Sequence, residues 1–365
     1  MKPELFYRLG LSLLLSLGGL QACSADVDPA TQNWPTECVG RMQFQLPGPA
    51  DTAATFNGKV QNFKRSADLV RPTFPDGTPA PFAATYIISH PLTEAEKKRF
   101  IGFAEAEGSE ISRTSSDGKK IYRLSRGFKE FMLPDSKGIV RRYEDEILAT
   151  IFVGHSLLKF GVGLEYGERL LNARPRPIFD VPKEPGLCLP YIFVPDDGKA
   201  ERGLSMSYRL KDHPDIQITL TDASAFKPER LHADGQMPEA EVKLRNKHAE
   251  PDPEIADFWN ERLNAARKYE SQWVVLDTTR PVTLAGYEGR QSFVRLTMDD
   301  GTLNYGYYAV VRGNPDATED TPDLRLYVRQ DVRQAEGKTP LTKEQFIEMA
   351  QAIAKSVQRR PVTPK

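Results

Sequence analysis

The sequence has few of the residues that bind metals or nucleic acids. It holds three cysteines and five histidines among 365 residues, and no two histidines have the spacing of zinc ligands. Its formal net charge is −1, so it lacks the excess of positive charge that marks nucleic-acid-binding proteins. Its one long apolar run, at residues 9–20, is too short to span a bilayer. We therefore expect no metal site, no nucleic-acid partner and no membrane-spanning segment.

Common catalytic motifs are missing as well. The sequence has no P-loop, no His-Glu-x-x-His and no Gly-x-Ser-x-Gly, since residues 203–207 lack the second glycine. The acidic stretch at 316–323 lacks the spacing and the glycine of an EF-hand. Glu144 and Glu146 fall on one face of a predicted strand. Exposure of that strand to solvent at the edge of a sheet accounts for the two carboxylates better than a catalytic pair does. We therefore predict no catalytic residue and no cofactor, and we favour a binding protein over an enzyme.

The N-terminus has the features of a bacterial export signal. Lys2 and Arg8 flank and precede the apolar run, a pattern typical of secretory signal peptides. The run ends in Leu-Gln-Ala-Cys at 20–23, which resembles the lipobox of a bacterial lipoprotein. The sequence thus predicts a lipoprotein signal peptide over residues 1–22 and a lipid on Cys23.

The residues after the lipobox indicate where the mature protein resides. Residues 24–33 are polar and are predicted to form a tether. Ser24 favours sorting to the outer membrane, so we expect a periplasmic protein whose only membrane contact is its lipid anchor. The alternative is ordinary cleavage after Ala25, which releases a soluble periplasmic protein. In both cases the mature chain is exported.

Export changes what the remaining cysteines indicate. With Cys23 lipidated, Cys38 and Cys188 form an even pair in an oxidising compartment, which favours one disulfide. The bond would close a loop of 188 − 38 = 150 residues and join the two halves of the chain. The alternative is two buried free thiols.

A proline-rich stretch divides the chain near its middle. Four prolines fall within residues 174–185, and proline fixes φ and removes a backbone donor, so this stretch is predicted to be a semi-extended linker. A chain of this length readily forms two domains. We place an N-terminal domain at 34–173 and a C-terminal domain at 186–360.

Both predicted domains combine strands with helices. Alternating apolar residues predict a strand at 39–46 and a meander made of 273–277, 287–298, 303–311 and 324–328. Capping boxes at Thr93 and Thr342 mark the starts of two helices. The predicted fold class is therefore α+β, with an antiparallel sheet and packed helices in each of two domains.

Several of these features together resemble a known family. The export signal is followed by Trp34, by Cys-Val-Gly-Arg at 38–41 and a strand, then by the linker and Gly-Leu-Cys-Leu at 186–189. This order resembles the two-domain periplasmic immunity proteins of type VI secretion lipase effectors. The resemblance implies a claw-like arrangement of the two domains, which grips a cognate phospholipase and blocks its lid. It implies no catalytic residues.

The resemblance supplies no motif for contacts with the partner. We take two long irregular stretches, Arg71–Pro81 and Lys227–Pro251, as the hypothetical grip, since long loops are often functional. The chain is expected to be a monomer that binds its effector one to one. The alternatives are an outer-membrane lipoprotein with a structural or assembly role in the envelope, and an exported hydrolase.

Overall fold

The computed structural model describes residues 33–55, 71–82, 86–99, 112–114, 120–122, 129–132, 138–142, 146–225, 251–267, 272–275 and 279–363. Most of these residues form antiparallel strands, against which a few helices pack. The α+β class predicted from the sequence is confirmed.

The elements are numbered along the chain. The strands are β1 (Thr36–Val39), β2 (Met42–Gln45), β3 (Ala50–Thr52), β4 (Ile87–Ile88), β5 (Ser112–Thr114), β6 (Lys120–Tyr122), β7 (Lys129–Met132), β8 (Gly138–Arg142), β9 (Glu146–Val153), β10 (Ser156–Gly163), β11 (Arg174–Pro175), β12 (Gly186–Leu189), β13 (Ile192–Pro195), β14 (Gly203–Leu210), β15 (Ile216–Ala223), β16 (Gln272–Val275), β17 (Arg280–Leu284), β18 (Tyr287–Thr297), β19 (Leu303–Val311), β20 (Asp323–Gln330) and β21 (Gln358–Arg359). The helices are α1 (Leu164–Leu171), α2 (Pro251–Arg267) and α3 (Lys343–Ser356). Residues 94–99 are also helical, and Val332–Gln334 form a 3-10 turn.

The largest sheet contains eight strands in the order β16-β18-β19-β20-β15-β14-β3, with β17 paired to β18. Helix α3 covers one face of it and starts at the predicted capping box, where Thr342 and Gln345 exchange side-chain and backbone hydrogen bonds. Its Phe346 and Ile353 are fully buried in the main hydrophobic core, since the apolar stripe of an amphipathic helix faces the sheet. The predicted meander forms β16, β18, β19 and β20 of this sheet.

The first strands of the chain belong to this same core. β1 and β2 form a hairpin, and β2 also pairs with β21 at the far end of the chain. β3 pairs with Tyr208–Leu210 of β14 at the edge of the eight-stranded sheet. Met42, Phe44 and Leu46 are fully buried with residues of β15, β20 and α3. The N-terminal residues therefore complete the core of the C-terminal half.

A second sheet has the order β4-β10-β9-β8-β7, and α1 packs against β9 and β10. Its core contains Ile151, Leu158 and Leu170 from the first half of the chain, and it also includes Leu187 and Ile192 from the β12–β13 hairpin. Each core thus takes residues from both sides of the linker. The domain boundaries at 34–173 and 186–360 remain a prediction, and the exchange of strands shows that the two halves do not have separate cores.

Candidate functional site

The disulfide predicted from the cysteine count is present at the junction of the two halves. Cys38 in β1 and Cys188 in β12 are bonded, with their Cα atoms 5.8 Å apart, and neither residue is accessible to solvent. Beside the bond, the amide of Gly40 donates to the Cys188 carbonyl at 2.8 Å, and the Cys188 amide donates back at 2.9 Å. The two short motifs at 38–41 and 186–189 therefore meet in space and bind each other.

The glycine of the first motif fits a position that no side chain could fill. Gly40 has φ +56°, in the left-handed region, and a Cβ atom there would lie 2.3 Å from Oδ2 of Asp222. That oxygen accepts the amide of Arg41 at 2.7 Å. Gly40 therefore allows the backbone of β1 to approach a buried carboxylate in β15.

We expect Gly40→Ala to lower the free energy of unfolding by about 2–3 kcal/mol, since it adds left-handed strain and a clash with Asp222. Gly337→Ala is the matched control, because Gly337 has φ +80° and nothing within 4 Å of the added Cβ. The control should lose only the strain, about 1 kcal/mol. Urea denaturation of both variants measures the difference. Equal losses would show that the Asp222 contact is unimportant.

A network of buried charges lies beside the disulfide, and we call it the seam network. Its members are Arg41, Asp196, Arg202, Asp222 and Asp320. Arg41 contacts Asp196 at 2.9 Å and Asp320 at 3.3 Å, while Arg202 contacts Asp222 at 2.8 Å and Asp320 at 2.9 Å. The side chains of Arg202 and Asp222 are fully buried. Buried charges of this kind are retained only when paired, so the network fixes how the first strands lie against β14 and β15.

The seam network makes stability sensitive to acid. Burial alone would raise the pKa of the Asp320 carboxyl, but its hydrogen bonds to Arg202 and Arg359 and their charges outweigh burial, so its pKa lies below the usual value. A carboxyl whose pKa is lowered in the folded state stabilises the protein above the pKa of the unfolded state, and this stabilisation is lost as the pH falls through the folded value. The loss therefore occurs below about pH 4.

We expect the free energy of unfolding to fall more steeply below about pH 4 in the wild type than in Asp320→Asn, which has no carboxyl to protonate at this position. Urea denaturation at intervals between pH 7 and pH 2.5 measures both slopes. Parallel curves for the two proteins would contradict the assignment of the lowered pKa to Asp320.

The proline-rich stretch is fixed by two buried arginines. Arg176 donates to Glu37 at 2.6 Å, and the two side chains are only 1% and 0% exposed to solvent. Arg360, after β21, donates to the carbonyls of residues 182, 184 and 186, and burial lowers its pKa to about 10. The Glu37 carboxylate also accepts the amides of Cys38 and Phe179 at 2.7 Å each. The predicted linker is therefore tied to β1 and to the C-terminus.

An open cleft of about 1070 Å³ lies between the two halves, next to the seam network. One wall carries Tyr86 and the exposed face of α1, and the other carries Asp197, Lys199 and neighbouring residues before β14. Tyr86 donates to the hydroxyl of Tyr166 at 2.8 Å, and their rings stack with centroids 6.3 Å apart. Sequence reasoning missed this cleft, because its walls come from segments far apart in the chain.

The stretch Arg71–Pro81 lies against the edge of the eight-stranded sheet. Thr73 exchanges backbone hydrogen bonds with Ala54 at 2.8 and 3.0 Å, and Phe74 is fully buried beneath the guanidinium of Arg209. Arg209 also donates to Asp76 at 2.6 Å. Only the tip at 75–77 and Pro79 and Arg71 at the flanks are exposed, so the apolar side chain of Phe74 is not available to a partner.

Several sequence predictions fall outside the described residues. Cys23, with the signal peptide and the tether through residue 32, lies there, and so does the second hypothetical loop, Lys227–Pro251, except for Pro251, which begins α2. Within the described ranges, no group of three or more His, Cys, Asp or Glu side chains is arranged to hold a metal ion. None of the helices there is long and apolar enough to cross a bilayer.

Comparison with known proteins places the chain in a family. Residues 180–362, half of the chain, match the family model for the Tle cognate immunity protein 4 C-terminal domain. The chain therefore belongs to this family of immunity proteins. No curated protein matches the sequence.

Two solved structures share the fold. One chain of the crystal structure of the Tle4–Tli4 complex superposes with a TM-score of 0.52 at 16% identity, covering 91% of this chain and 99% of that one. The type VI secretion immunity protein TplEi from Pseudomonas aeruginosa, in complex with an "L" peptide, superposes with a TM-score of 0.51 at 13% identity, covering 91% and 100%. The likeness extends over both halves, so the whole described fold is that of these proteins.

Proposed function

We propose that this chain is the immunity protein for a type VI secretion phospholipase effector, which it binds and inhibits in the periplasm. Membership of the immunity-protein family is the observation that carries the proposal. The fold supports it, since solved immunity proteins cover nearly the whole chain. The role needs no catalytic residue and no cofactor, and we propose that the protein is not an enzyme.

The cleft between the two halves is the proposed grip. It is large enough to accept a helix turn or an extended segment of a partner, and the disulfide and seam network hold its two walls in place. A prearranged surface loses less conformational entropy on binding. A lipase must open its lid to reach lipid, and a protein that binds the closed form shifts that equilibrium by its differential affinity. Gripping the lid in the cleft would thus stop the enzyme.

The placement of the protein in the cell follows from its N-terminus. We propose that residues 1–22 direct export, that Cys23 carries the lipid of an outer-membrane anchor, and that residues 24–33 tether the body of the protein. The anchor would hold the inhibitor in the compartment where an incoming phospholipase acts. We propose a monomer that binds its effector one to one.

The test is a phospholipase assay on the protein encoded by the adjacent gene, with and without an equimolar amount of residues 24–365. We expect stoichiometric loss of lipase activity and a complex that elutes as one species. A neighbouring protein that has no lipase activity, or that keeps its activity and elutes alone, would contradict immunity to that protein. An envelope-assembly role, the alternative, predicts envelope partners instead of a lipase.

The two loops are tested in the same assay. Replacing Arg71–Pro81 or Lys227–Pro251 with a short Gly-Ser turn should weaken inhibition at least tenfold if that loop contributes to the grip. The 71–81 replacement also removes the Thr73 and Phe74 contacts, so Pro75→Ser, confined to the exposed tip, separates partner contact from folding. Asp76→Ala is unsuitable for this purpose, because it also removes the ion pair with Arg209. Full inhibition by both loop replacements would leave the cleft as the grip on its own.

A further inference from the structure

We infer that the cleft recognises an acidic side chain on the segment of the lipase that enters it. This inference rests on the proposed function and states what chemistry the cleft would recognise. It follows from a comparison of the polar groups that line the cleft: the acids are already engaged within this chain, whereas several hydrogen-bond donors are not.

The acids that line the cleft, Glu165, Asp197 and Glu201, all have partners within this chain. Glu165 accepts from Arg169 at 2.5 Å, one turn along α1. Asp197 accepts the backbone amides of Lys199 and Ala200 at 2.9 and 3.2 Å, and these hydrogen bonds, with the charge of Arg169, lower the pKa of its carboxyl. Behind the wall, Asp222 and Asp320 are paired with Arg202. A cationic partner would have to compete with these contacts.

Three hydrogen-bond donors of the cleft, in contrast, have no acceptor among the described residues. The Tyr166 hydroxyl accepts the hydrogen bond from Tyr86, so the proton of Tyr166 is not used in that bond. No described residue accepts the Tyr166 proton. The Ser224 hydroxyl accepts the amide of Arg202 at 2.9 Å, which leaves its proton available in the same way. Lys199 is exposed, and no carboxylate of the described residues lies within ion-pair distance of its ammonium group.

These three donors lie on both walls of one cleft, since Tyr166 projects from α1 while Lys199 and Ser224 belong to the segments around β14 and β15. Two hydroxyl donors and an unpaired ammonium complement a carboxylate, which accepts several hydrogen bonds and carries the opposite charge. A neutral carbonyl would use the hydroxyls and leave Lys199 unpaired. The occupant we infer is therefore an Asp or Glu side chain of the lipase, placed between Tyr166 and Lys199.

The inference is tested by the affinity of the lipase from the adjacent gene for variants of the folded, full mature chain. Lys199→Gln and Tyr166→Phe should each raise the Kd about tenfold, as expected when a hydrogen bond to a charged group is lost. Lys199→Glu should raise it at least a hundredfold, since it places like charges together. Lys338→Gln and Tyr305→Phe are matched controls, because neither residue lines the cleft, and both should bind as the wild type does.

The partner side of the contact is tested with lipase variants. Single Asp→Asn and Glu→Gln changes across its lid should include one that weakens binding as much as Lys199→Gln, and the two losses should not add when combined. Wild-type affinity of Lys199→Gln and Tyr166→Phe, or additive losses for every lipase acid, would overturn the inference while leaving immunity intact. If the wild-type chain does not bind the lipase, the proposed function fails and this inference falls with it.

Discussion

Glu37→Ala is expected to lower the free energy of unfolding by about 3–5 kcal/mol, because it leaves a buried arginine without its counter-charge. Glu37 is completely buried and accepts from Arg176, Cys38 and Phe179. Removing the carboxylate leaves the Arg176 guanidinium without its counter-charge and the two backbone amides without their acceptor. The ties between the proline-rich stretch and β1 would be lost with it.

The matched control for this prediction is Glu165→Ala. Glu165 also pairs with an arginine, at 2.5 Å, but its side chain is 86% exposed, and an exposed pair contributes at most about 0.5 kcal/mol. Urea denaturation of both variants compares a buried pair with an exposed one. A loss below 1 kcal/mol for Glu37→Ala would mean that water reaches Arg176 and that the junction is looser than the structure indicates.

Cys38→Ser is the second change expected to have a large effect. The disulfide closes a loop of 150 residues, and the loop-entropy relation gives roughly 5 kcal/mol as an upper figure, so we expect a loss of about 3–5 kcal/mol. We also expect inhibition of the lipase to weaken more than tenfold under conditions where the variant stays folded, because the cleft walls are joined at this bond. Lipase titrations and urea denaturation measure the two effects.

The double variant provides the control for the disulfide. Cys38→Ser and Cys188→Ser each remove the same bond, so the double variant should lose little more stability than either single one. Additive losses would indicate that the thiols contribute through packing beside Phe193 and Val181, not through the bond. Affinity for the lipase equal to that of the wild type would show that the bond does not organise the grip.

Local features of the sequence predicted local features of the fold. The alternation of apolar residues located the meander, because the period of two is a property of a single strand. The capping box located the start of α3, since the reciprocal hydrogen bonds involve Thr342 and Gln345 alone. β17 was missed because Pro281 lies inside it. That proline is tolerated because β17 pairs, among the described strands, with β18 alone.

The non-local features could not be predicted. Nothing in the local pattern of β1–β3 shows that they join a core built mainly by residues after the linker, because strand partners are chosen by packing across the whole molecule. Arg176 lies in the stretch predicted to be a semi-extended linker, yet it is 2% exposed and bound to Glu37. The sequence held a weak indication of this distant pairing, since a charged residue among prolines has few local partners. The cysteine count did predict the disulfide, because that inference needs only an even number of cysteines in an oxidising compartment and no knowledge of the fold.

The pairing of β2 with β21 has a consequence for how the protein folds. Met42 lies opposite Arg359, so β2, which pairs locally with β1, gains its second partner only after residue 359 has been synthesised. Contacts between residues so far apart in sequence form late and slow folding. The β1–β2 hairpin therefore stays uncovered on this side until residue 359 is available. A chain that remains open in this way is suited to being threaded through a membrane channel before it folds.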